Sequence, residues 1–263
     1  MAKTRSPSTN DQQLHLERNS YLRDIATMAT MGIEVHTFTV IARCQQTSML
    51  GIAMATSSPA VGSRCPLIKP GVGAISHQAV SQPRLGMLAM KLLELGHTAA
   101  GVLKELKATD PYIEYRQIGV IEANGHVAVM TGKKNHPWAG HQKGKDYIVM
   151  GNCLSGKKVI EAMASAFESS TDESLEERLL RAIEAGRDAG GQPDGQSSAC
   201  LLTYDRQPFA RVDLRVDVHE EPVAELRRVF DWFAPLIPYY EMRAVAPTVP
   251  RFKDWLREQG IER

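Results

Sequence analysis

Thr37 is the residue with the clearest chemical potential, because it begins the apolar segment TFTVIA. A threonine at the first position of a mature chain can cleave amides: its hydroxyl is the nucleophile and its own α-amine is the base. The reference pKa of such an amine, about 7.7 to 8.0, lies close to neutral pH. Thr37 gains a free amine only if every residue ahead of it is absent, and a chain that begins at Met31, which could be the biological start, would still need processing. Threonine is also an ordinary strand former, so position alone favours a structural role.

Six further polar residues stand at the ends of predicted strands or in the loops that follow them: Ser57, Ser58, Arg64, His77, Gln78 and Asn152. The two serines either orient the nucleophile or form a turn. Arg64, and Lys69 in the same loop, either lower the pKa of the amine or hydroxyl by their charge or are solvated surface charges.

His77 and Gln78 end a predicted strand, where inward polar side chains are costly unless they are paired. They are therefore candidates for a pocket or for satisfied core groups. Asn152 follows a predicted strand and precedes a helix. Its amide, or the backbone N–H of Gly151, could stabilise an oxyanion, and capping of the loop is the competing role.

Metal and cofactor chemistry are not expected from this sequence. His136 and His141 flank Trp138 without the spacing of a known metal motif and without an adjacent carboxylate, so they are interpreted as a pocket wall or a loop anchor. The four cysteines lie far apart and are interpreted as buried thiols.

The composition is that of an ordinary globular domain, with 43% apolar and 23% charged residues among 263. Because the formal net charge is +1, no overall field favours nucleic acid, an anionic membrane or an acidic partner, and a small-molecule substrate is expected. The sequence has neither a long uninterrupted apolar stretch nor the order of a secretory signal, so a cytoplasmic location is expected.

Apolar periodicity predicts strands, two helices, strands, two helices, strands and a helix. TFTVIA and LGIAMAT form a predicted hairpin, and Asn124-Gly125 predicts a type I′ turn between two further strands. Runs of strands separated by helix pairs favour an α+β fold in which stacked sheets lie between helical layers.

Three regions are predicted along the chain: a flexible extension over residues 1–32, one domain over 33–235, and a tail over 236–263 that packs on the domain or on a partner. The late helix and the tail concentrate aromatic residues, which predicts a homodimer or a higher homo-oligomer, or a cover for the chain's own core. These residues are Phe230, Trp232, Phe233, Tyr239 and Tyr240.

Several longer motifs carry a family resemblance: ATSSPAVGSRCP, GVGAISHQAVSQPRLG, DPYIEYRQIGVIEANG, TGKKNHPWAGHQKG, GNCLSG and AGGQPDGQSSACLL. With TFTVIAR and VDLRVD, they resemble an uncharacterised bacterial family of Ntn-hydrolase type, domain-of-unknown-function family 1028. The opening segment also resembles proteasome β-subunits. This resemblance implies a four-layer αββα sandwich with Thr37 as nucleophile. Asn135 stands where the family is expected to have a cysteine, so no role for that cysteine carries over.

The leading hypothesis is a cofactor-independent hydrolase that cleaves an amide bond in a small metabolite through Thr37. The rival is a non-catalytic ligand-binding or assembly protein that keeps the fold and never liberates Thr37. A third hypothesis is cysteine-based hydrolysis through Cys65 or Cys153.

Overall fold

A computed structural model describes residues 36–246 and 248–262. The extension predicted for residues 1–32 lies outside the described residues. Within them the chain forms ten strands: β1 Thr37–Arg43, β2 Leu50–Thr56, β3 Pro66–Lys69, β4 Gly73–Ala79, β5 Arg116–Glu122, β6 Val127–Thr131, β7 Gly140–Gly144, β8 Tyr147–Asn152, β9 Ser198–Tyr204 and β10 Val212–Val216. The α-helices of the same residues are α1 Pro83–Glu94, α2 Ala99–Thr109, α3 Lys157–Ser169, α4 Leu175–Asp188, α5 Pro222–Phe233, α6 Ile237–Val245 and α7 Phe252–Glu258.

The strands form two antiparallel sheets. One has six strands in the order β10-β9-β2-β1-β8-β7, and the other has four in the order β3-β4-β5-β6. Strand β1 therefore lies near the middle of the larger sheet, between β2 and β8. The predicted β1–β2 hairpin is confirmed, with Thr37 opposite Thr56.

Three apolar clusters stack the sheets and helices into four layers. The first packs helices α3, α4 and α5 on one face of the six-stranded sheet, and Phe38 and Val40 of β1 belong to it. The second lies between the two sheets, where Ile41 of β1 faces Ile121 of β5. The third packs α1 and α2 on the outer face of the four-stranded sheet. The αββα sandwich expected from the sequence is confirmed, and the alternation of β1 turns Thr37, Thr39 and Ile41 towards the space between the sheets.

Two edge strands and one helix were not predicted. Strand β3 begins at Pro66 and β7 has the sequence GHQKG, so neither shows an apolar pattern. Both lie at sheet edges, where proline and charged residues are tolerated because one side of the strand needs no partner. Helix α6 has a proline in its first turn, a position at which the missing N–H costs nothing.

The turn predicted at Asn124-Gly125 is of a different type. Gly125 has φ 92°, whereas Asn124 does not adopt a positive φ. The Gly125 N–H donates to the carbonyl of Glu122 at 2.9 Å. This geometry is a type I turn followed by a left-handed glycine, the usual form of a slightly longer hairpin loop, and the type I′ prediction was wrong.

The aromatic residues of the late helices divide between the interior and the surface. Phe230 and Tyr239 are buried, whereas 57% of Trp232 and 42% of Tyr240 are exposed. Ile237 belongs to the apolar cluster that packs helices on the six-stranded sheet, and Glu241 pairs with Arg211. Helix α6 therefore packs on the domain. Self-association through the two exposed rings stays a prediction. None of the helices among residues 36–246 and 248–262 has the length and apolar character needed to cross a membrane.

The two sheets approach most closely around Gly119 of β5. A Cβ atom there would lie 2.8 Å from Cδ1 of Ile41 and 3.3 Å from Sδ of Met150, both in the six-stranded sheet. Gly119→Val should lower the free energy of unfolding by about 1–3 kcal/mol, because the extra methyl groups force neighbouring core side chains out of their rotamers. Urea denaturation of the variant measures this loss. An unchanged free energy of unfolding would show that the side chains between the sheets rearrange around the added methyl groups without loss of stability.

Candidate functional site

A row of four polar residues crosses the six-stranded sheet at the end where β1 begins. The strand register pairs Thr37 with Asn152 of β8 and with Thr56 of β2, and pairs Thr56 with Ser198 of β9. Directly paired residues share a face of the sheet. The row Asn152–Thr37–Thr56–Ser198 therefore faces the space between the sheets, and each member is at most 2% exposed.

The hydroxyl of Thr37 is part of a chain of hydrogen bonds that leads back to its own peptide bond. Its Oγ1 lies 3.0 Å from Oγ1 of Thr56, and the Thr56 hydroxyl donates to the carbonyl oxygen of His36. Because Thr56 has one hydroxyl proton, the Thr37 hydroxyl must be the donor to Thr56. The His36 carbonyl also accepts a hydrogen bond from the backbone N–H of Ser57 at 3.2 Å. Two donors therefore polarise the carbonyl of the His36–Thr37 peptide.

The carboxamide of Gln117 in β5 links the two sheets beneath Thr37. Its Oε1 accepts from Nε2 of Gln78 at 2.8 Å and from Nδ2 of Asn152 at 3.1 Å. Its Nε2 lies within hydrogen-bonding distance of the carbonyls of Gly140 and Gly151 and of the Thr131 hydroxyl. Gln117 is fully buried, so this fully bonded amide is a strong constraint on the relative positions of the sheets.

Gln78 extends the network to β1 from the opposite sheet. Its Oε1 accepts from the Thr39 hydroxyl at 2.5 Å, and its Nε2 lies 3.4 Å from the carbonyl oxygen of Thr37. The backbone of the candidate nucleophile is thereby held on one side by the β2 residues and on the other by buried amides. No member of the chain Thr39–Gln78–Gln117–Asn152 carries a charge.

Strained backbone surrounds this end of the sandwich. Ala79 is the last residue of β4, Ala60 follows β2 and Cys153 follows β8, and their φ angles are 68°, 55° and 51°. Such conformations cost non-glycine residues about 1–3 kcal/mol each and are concentrated at functional sites. The three strands therefore end in loops whose shape is imposed by their surroundings.

The two candidate serines lie beside Thr37. Oγ of Ser57 accepts a bond of 3.4 Å from the His36 N–H, so Ser57 contacts both polar groups of the His36 backbone. The Ser58 N–H lies 3.4 Å from Oγ1 of Thr56, and its carbonyl accepts from the Ser198 hydroxyl at 2.7 Å. With Gln78 and Asn152, these residues are the predicted candidates that the structure brings together around Thr37.

The two candidate cations are directed elsewhere. Arg64 is exposed and its guanidinium donates to the carbonyl of Pro59 at 2.5 Å. Lys69 pairs with Glu94 at 2.7 Å and, in the register of β3 with β4, stands opposite Gly73, at the end of β4 away from Gln78. Of the two roles considered for Lys69, the position fits a solvated surface charge, because the short strand β3 carries it to the far end of the sheet.

His77 lies on the opposite face of β4 from Gln78. Its ring packs against Gly86 of α1, its Nδ1 lies 2.8 Å from the Ser81 hydroxyl, and its Nε2 has no hydrogen-bond partner. Burial, and secondarily the charge of Arg116, lower the pKa of His77 to about 4. The structure thus makes His77 a neutral core residue outside the Thr37 cluster.

The remaining sequence candidates contribute no reactive centre at Thr37. Burial raises the pKa of the Cys65 thiol, which disfavours the nucleophilic thiolate. His141 is exposed, with its Nδ1 2.8 Å from the Thr131 hydroxyl, and the carbonyl of His136 accepts from the Cys153 N–H. Within the described ranges 36–246 and 248–262, no three His, Cys, Asp or Glu residues are grouped so as to hold a metal ion.

Sequence reasoning missed Thr56, Gln117 and Ser198. Thr56 is the one polar residue of β2 and ends it, and Gln117 immediately precedes the apolar run of β5, so this signal was available. The register of the strands could not be read from the sequence, and it is the register that places these side chains beside Thr37.

Thr37 itself is only 2% exposed. The two surface depressions that we describe lie elsewhere. One of about 370 Å³ is lined in part by Lys69 and Arg215, and one of about 260 Å³ in part by Phe209 and Met242. In the chain that still carries His36, the candidate nucleophile is therefore covered.

Comparison with protein families matches residues 37–226 to the family described as "Family of unknown function (DUF1028)". A solved structure of a DUF1028 protein from Silicibacter pomeroyi shares 27% sequence identity at a TM-score of 0.71, covering 84% of this chain and 94% of that one. Comparison with curated proteins gives no match.

Two further solved structures are more distant. Anbu, an ancestral beta-subunit from Yersinia bercovieri, has 13% identity and a TM-score of 0.39, covering 81% of this chain and 100% of that one. A mutant Anbu from Hyphomicrobium sp. strain MC1 has 12% identity and a TM-score of 0.39, covering 78% and 99% of the two chains.

Replacing Gln117 tests the buried amide network. Gln117→Met keeps the volume but leaves the amides of Gln78 and Asn152 without their acceptor, so the free energy of unfolding should fall by about 2–4 kcal/mol. The matched control is Gln142→Met, which removes a half-buried amide whose 3.4 Å contact with the Tyr147 hydroxyl is weak. Urea denaturation compares the two variants. If the two substitutions lowered the free energy of unfolding equally, the hydrogen bonds of Gln117 would contribute no more to stability than those of Gln142.

The depressed pKa of His77 predicts a loss of stability in acid. The pKa of His77 is about 4 in the folded chain, which is below its value in the unfolded chain. As the pH falls from about 6.5 to 4, His77 therefore binds a proton in the unfolded chain but stays neutral in the folded chain. This stability is present above pH 6.5 and is lost through that window, by at most about 3 kcal/mol. His77→Gln should lose less stability than the unchanged chain between pH 7 and 4 in urea titrations. If both proteins lost the same stability between pH 7 and 4, the low pKa assigned to His77 would be contradicted.

Proposed function

The chain belongs to the DUF1028 family, whose function is unknown, and from the chemistry around Thr37 we propose that it is an Ntn-type amidohydrolase. Its substrate is a small molecule that contains an amide bond. Thr37, freed from residues 1–36, supplies both the nucleophilic hydroxyl and the amine that accepts its proton.

One observation carries the proposal: a buried, hydrogen-bonded threonine hydroxyl begins the central strand β1, and the carbonyl immediately before it accepts hydrogen bonds from two donors. Donors aimed at a carbonyl oxygen next to a nucleophile are the arrangement that stabilises negative charge in acyl transfer.

The first step of the proposed function releases Thr37. Its Oγ1 attacks the carbonyl carbon of His36, the negative charge on the oxygen is met by the Thr56 hydroxyl and the Ser57 N–H, and the peptide C–N bond breaks. The hydroxyl proton passes to the departing nitrogen, which becomes the α-amine of Thr37. Water then hydrolyses the resulting ester, leaving a carboxylate on His36.

Turnover repeats the same chemistry on the substrate. The α-amine accepts the proton of the Thr37 hydroxyl as its oxygen attacks the substrate carbonyl, and the same proton is given to the leaving amine. Water hydrolyses the acyl-enzyme ester. An amine base suits this site because the surrounding network, from Thr39 to Asn152, consists of neutral groups.

A second function is favoured by one specific observation. While His36 is attached, the Thr37 nitrogen is an amide and its hydroxyl is 2% exposed. In a chain that kept residues 1–36, Thr37 would lack the amine base and a substrate could not reach its hydroxyl. Such a chain would act as a ligand-binding or assembly protein with this fold.

Replacing Thr37 separates the two functions. Thr37→Ala should leave residues 1–36 attached and reduce hydrolysis in a screen of small amides by about 1,000-fold or more, because both steps need the hydroxyl. Thr37→Ser should retain both steps. Intact mass and N-terminal sequencing report the release, and chromatographic product assay reports the hydrolysis.

Two comparisons complete this test. Thr109→Ala, an exposed threonine on α2, is the matched control and should behave as the unchanged chain. Thr56→Val should slow the release of Thr37 because it removes one donor to the His36 carbonyl. Full activity of Thr37→Ala would refute the hydrolase, and a chain that retains residues 1–36 while binding a ligand without turnover would establish the second function.

A further inference from the structure

The loop of residues 190–197, here called the crossing loop, passes over the start of β1. It leaves α4 and enters β9. At one end the Gly191 carbonyl accepts from the Ser155 N–H at 2.9 Å, just beyond β8, and at the other end the Ser197 N–H donates to the Thr56 carbonyl at 2.7 Å, at the end of β2. Since β1 lies between β8 and β2, the loop bridges the strand that begins with Thr37.

The middle of the crossing loop also contacts the residue before Thr37. Oδ2 of Asp194 lies 3.7 Å from Nδ1 of His36. This distance places the loop beside the side chain of the residue before Thr37, independently of the two anchors on the neighbouring strands.

The crossing loop has a defined shape. Gly190, Gly191 and Gly195 have φ angles of 107°, 41° and 76°, and the Gly195 N–H donates to the Gln192 carbonyl at 3.0 Å across Pro193 and Asp194. The positive φ angles explain the glycines, because other residues are strained in this conformation. The hydrogen-bonded turn fixes the direction in which the residue at its start, Gln192, leaves the backbone.

Gln192 is 4% exposed, yet among the residues that the structure describes neither Nε2 nor Oε1 of its carboxamide has a hydrogen-bond partner. Gln78 and Gln117, the two other glutamines buried in the described part of the chain, have both ends of their amides bonded. An unbonded buried amide is costly, and a native protein rarely keeps one without a use. Oδ1 of Asn152, which is paired in register with Thr37, is a second buried acceptor without a partner.

We propose that Gln192 binds the substrate of Thr37 by pairing its carboxamide with an amide group of that substrate, so that the crossing loop determines specificity. Nε2 donates to the substrate carbonyl and Oε1 accepts from the substrate N–H. Only a ligand that offers a donor and an acceptor on one edge satisfies both ends, so primary amides and cis secondary amides such as lactams are bound, and trans amides, esters and hydrocarbons are not. This inference rests on the proposed function, because it takes Thr37 as the reacting group.

The test uses two boronic acids of similar size, 2-carbamoylethylboronic acid, which carries a primary amide, and n-butylboronic acid. Boron accepts an oxygen lone pair of Thr37 to form a tetrahedral adduct, and the hydroxyl proton passes to the amine. The purified protein, in which the proposed function leaves Thr37 with a free amine, should bind the carbamoyl compound about 10-fold to 100-fold more tightly, because only this probe pairs with Gln192. Gln192→Met should remove this preference and leave the affinity for n-butylboronic acid unchanged. Isothermal titration calorimetry measures all four affinities.

A stability measurement separates binding from a structural role. Gln192→Met replaces an unbonded buried amide by an apolar chain of similar volume and should raise Tm, whereas Gln117→Met, which breaks a bonded amide, should lower it. A lower Tm for Gln192→Met, or a preference for the carbamoyl compound that survives this substitution, overturns the inference and leaves the hydrolase intact. If neither boronic acid binds the unchanged chain, or if binding survives Thr37→Ala, the proposed function fails and the inference falls with it.

Discussion

The bonding of the Gln117 carboxamide is the constraint on which the Thr37 end of the sandwich depends. It joins β5 of one sheet to β7 and β8 of the other, and through Gln78 it reaches the backbone of Thr37. Elsewhere the sheets meet through apolar side chains such as Ile41 and Ile121, which tolerate small shifts. An amide with bonds at both ends does not, because moving either sheet would leave a buried polar group unsatisfied. The polar end of the intersheet space is therefore more precisely positioned than its apolar middle.

The neutrality of this network limits the chemistry that the site can perform. The side chains that surround Thr37 in register are hydroxyls and amides, which donate and accept hydrogen bonds but do not remove a proton at neutral pH. The ring of His77 packs against α1 on the other side of β4, and the ring of His36 would leave with residues 1–36. After that cleavage, the base that the proposed function assigns to the Thr37 hydroxyl is the α-amine that the cleavage creates. Under that function, an uncleaved chain lacks this base and cannot turn over a substrate.

The parts of the structure that depend on apolar periodicity were predictable, and the parts that depend on pairing between strands were not. The spacing of Leu175, Leu179 and Ile183 in α4 follows from burial of one face of the helix, which a single sequence reveals. Strands β3 and β7 carry no such pattern because sheet edges impose little on their residues. The family resemblance led to Thr37, but Thr56 and Ser198 join it only through a register spanning up to about 160 residues of sequence, which residue type alone does not encode.

Under the proposed function, the His36 carbonyl occupies the position of the substrate carbonyl, which links release of Thr37 to hydrolysis. In the attached state the Thr56 hydroxyl and the Ser57 N–H both bond the His36 carbonyl, and Asp194 of the crossing loop approaches the His36 ring. Loss of residues 1–36 would remove that carbonyl and leave two donors beside a free nucleophile. A substrate acyl group has the same shape as the departed one, since each is a carbonyl held next to Oγ1 of Thr37. Under the proposed function, the Thr56 hydroxyl and the Ser57 N–H therefore serve both the release of Thr37 and the hydrolysis of the substrate. The cleavage that creates the amine base also removes the His36 carbonyl from the place that the substrate carbonyl takes.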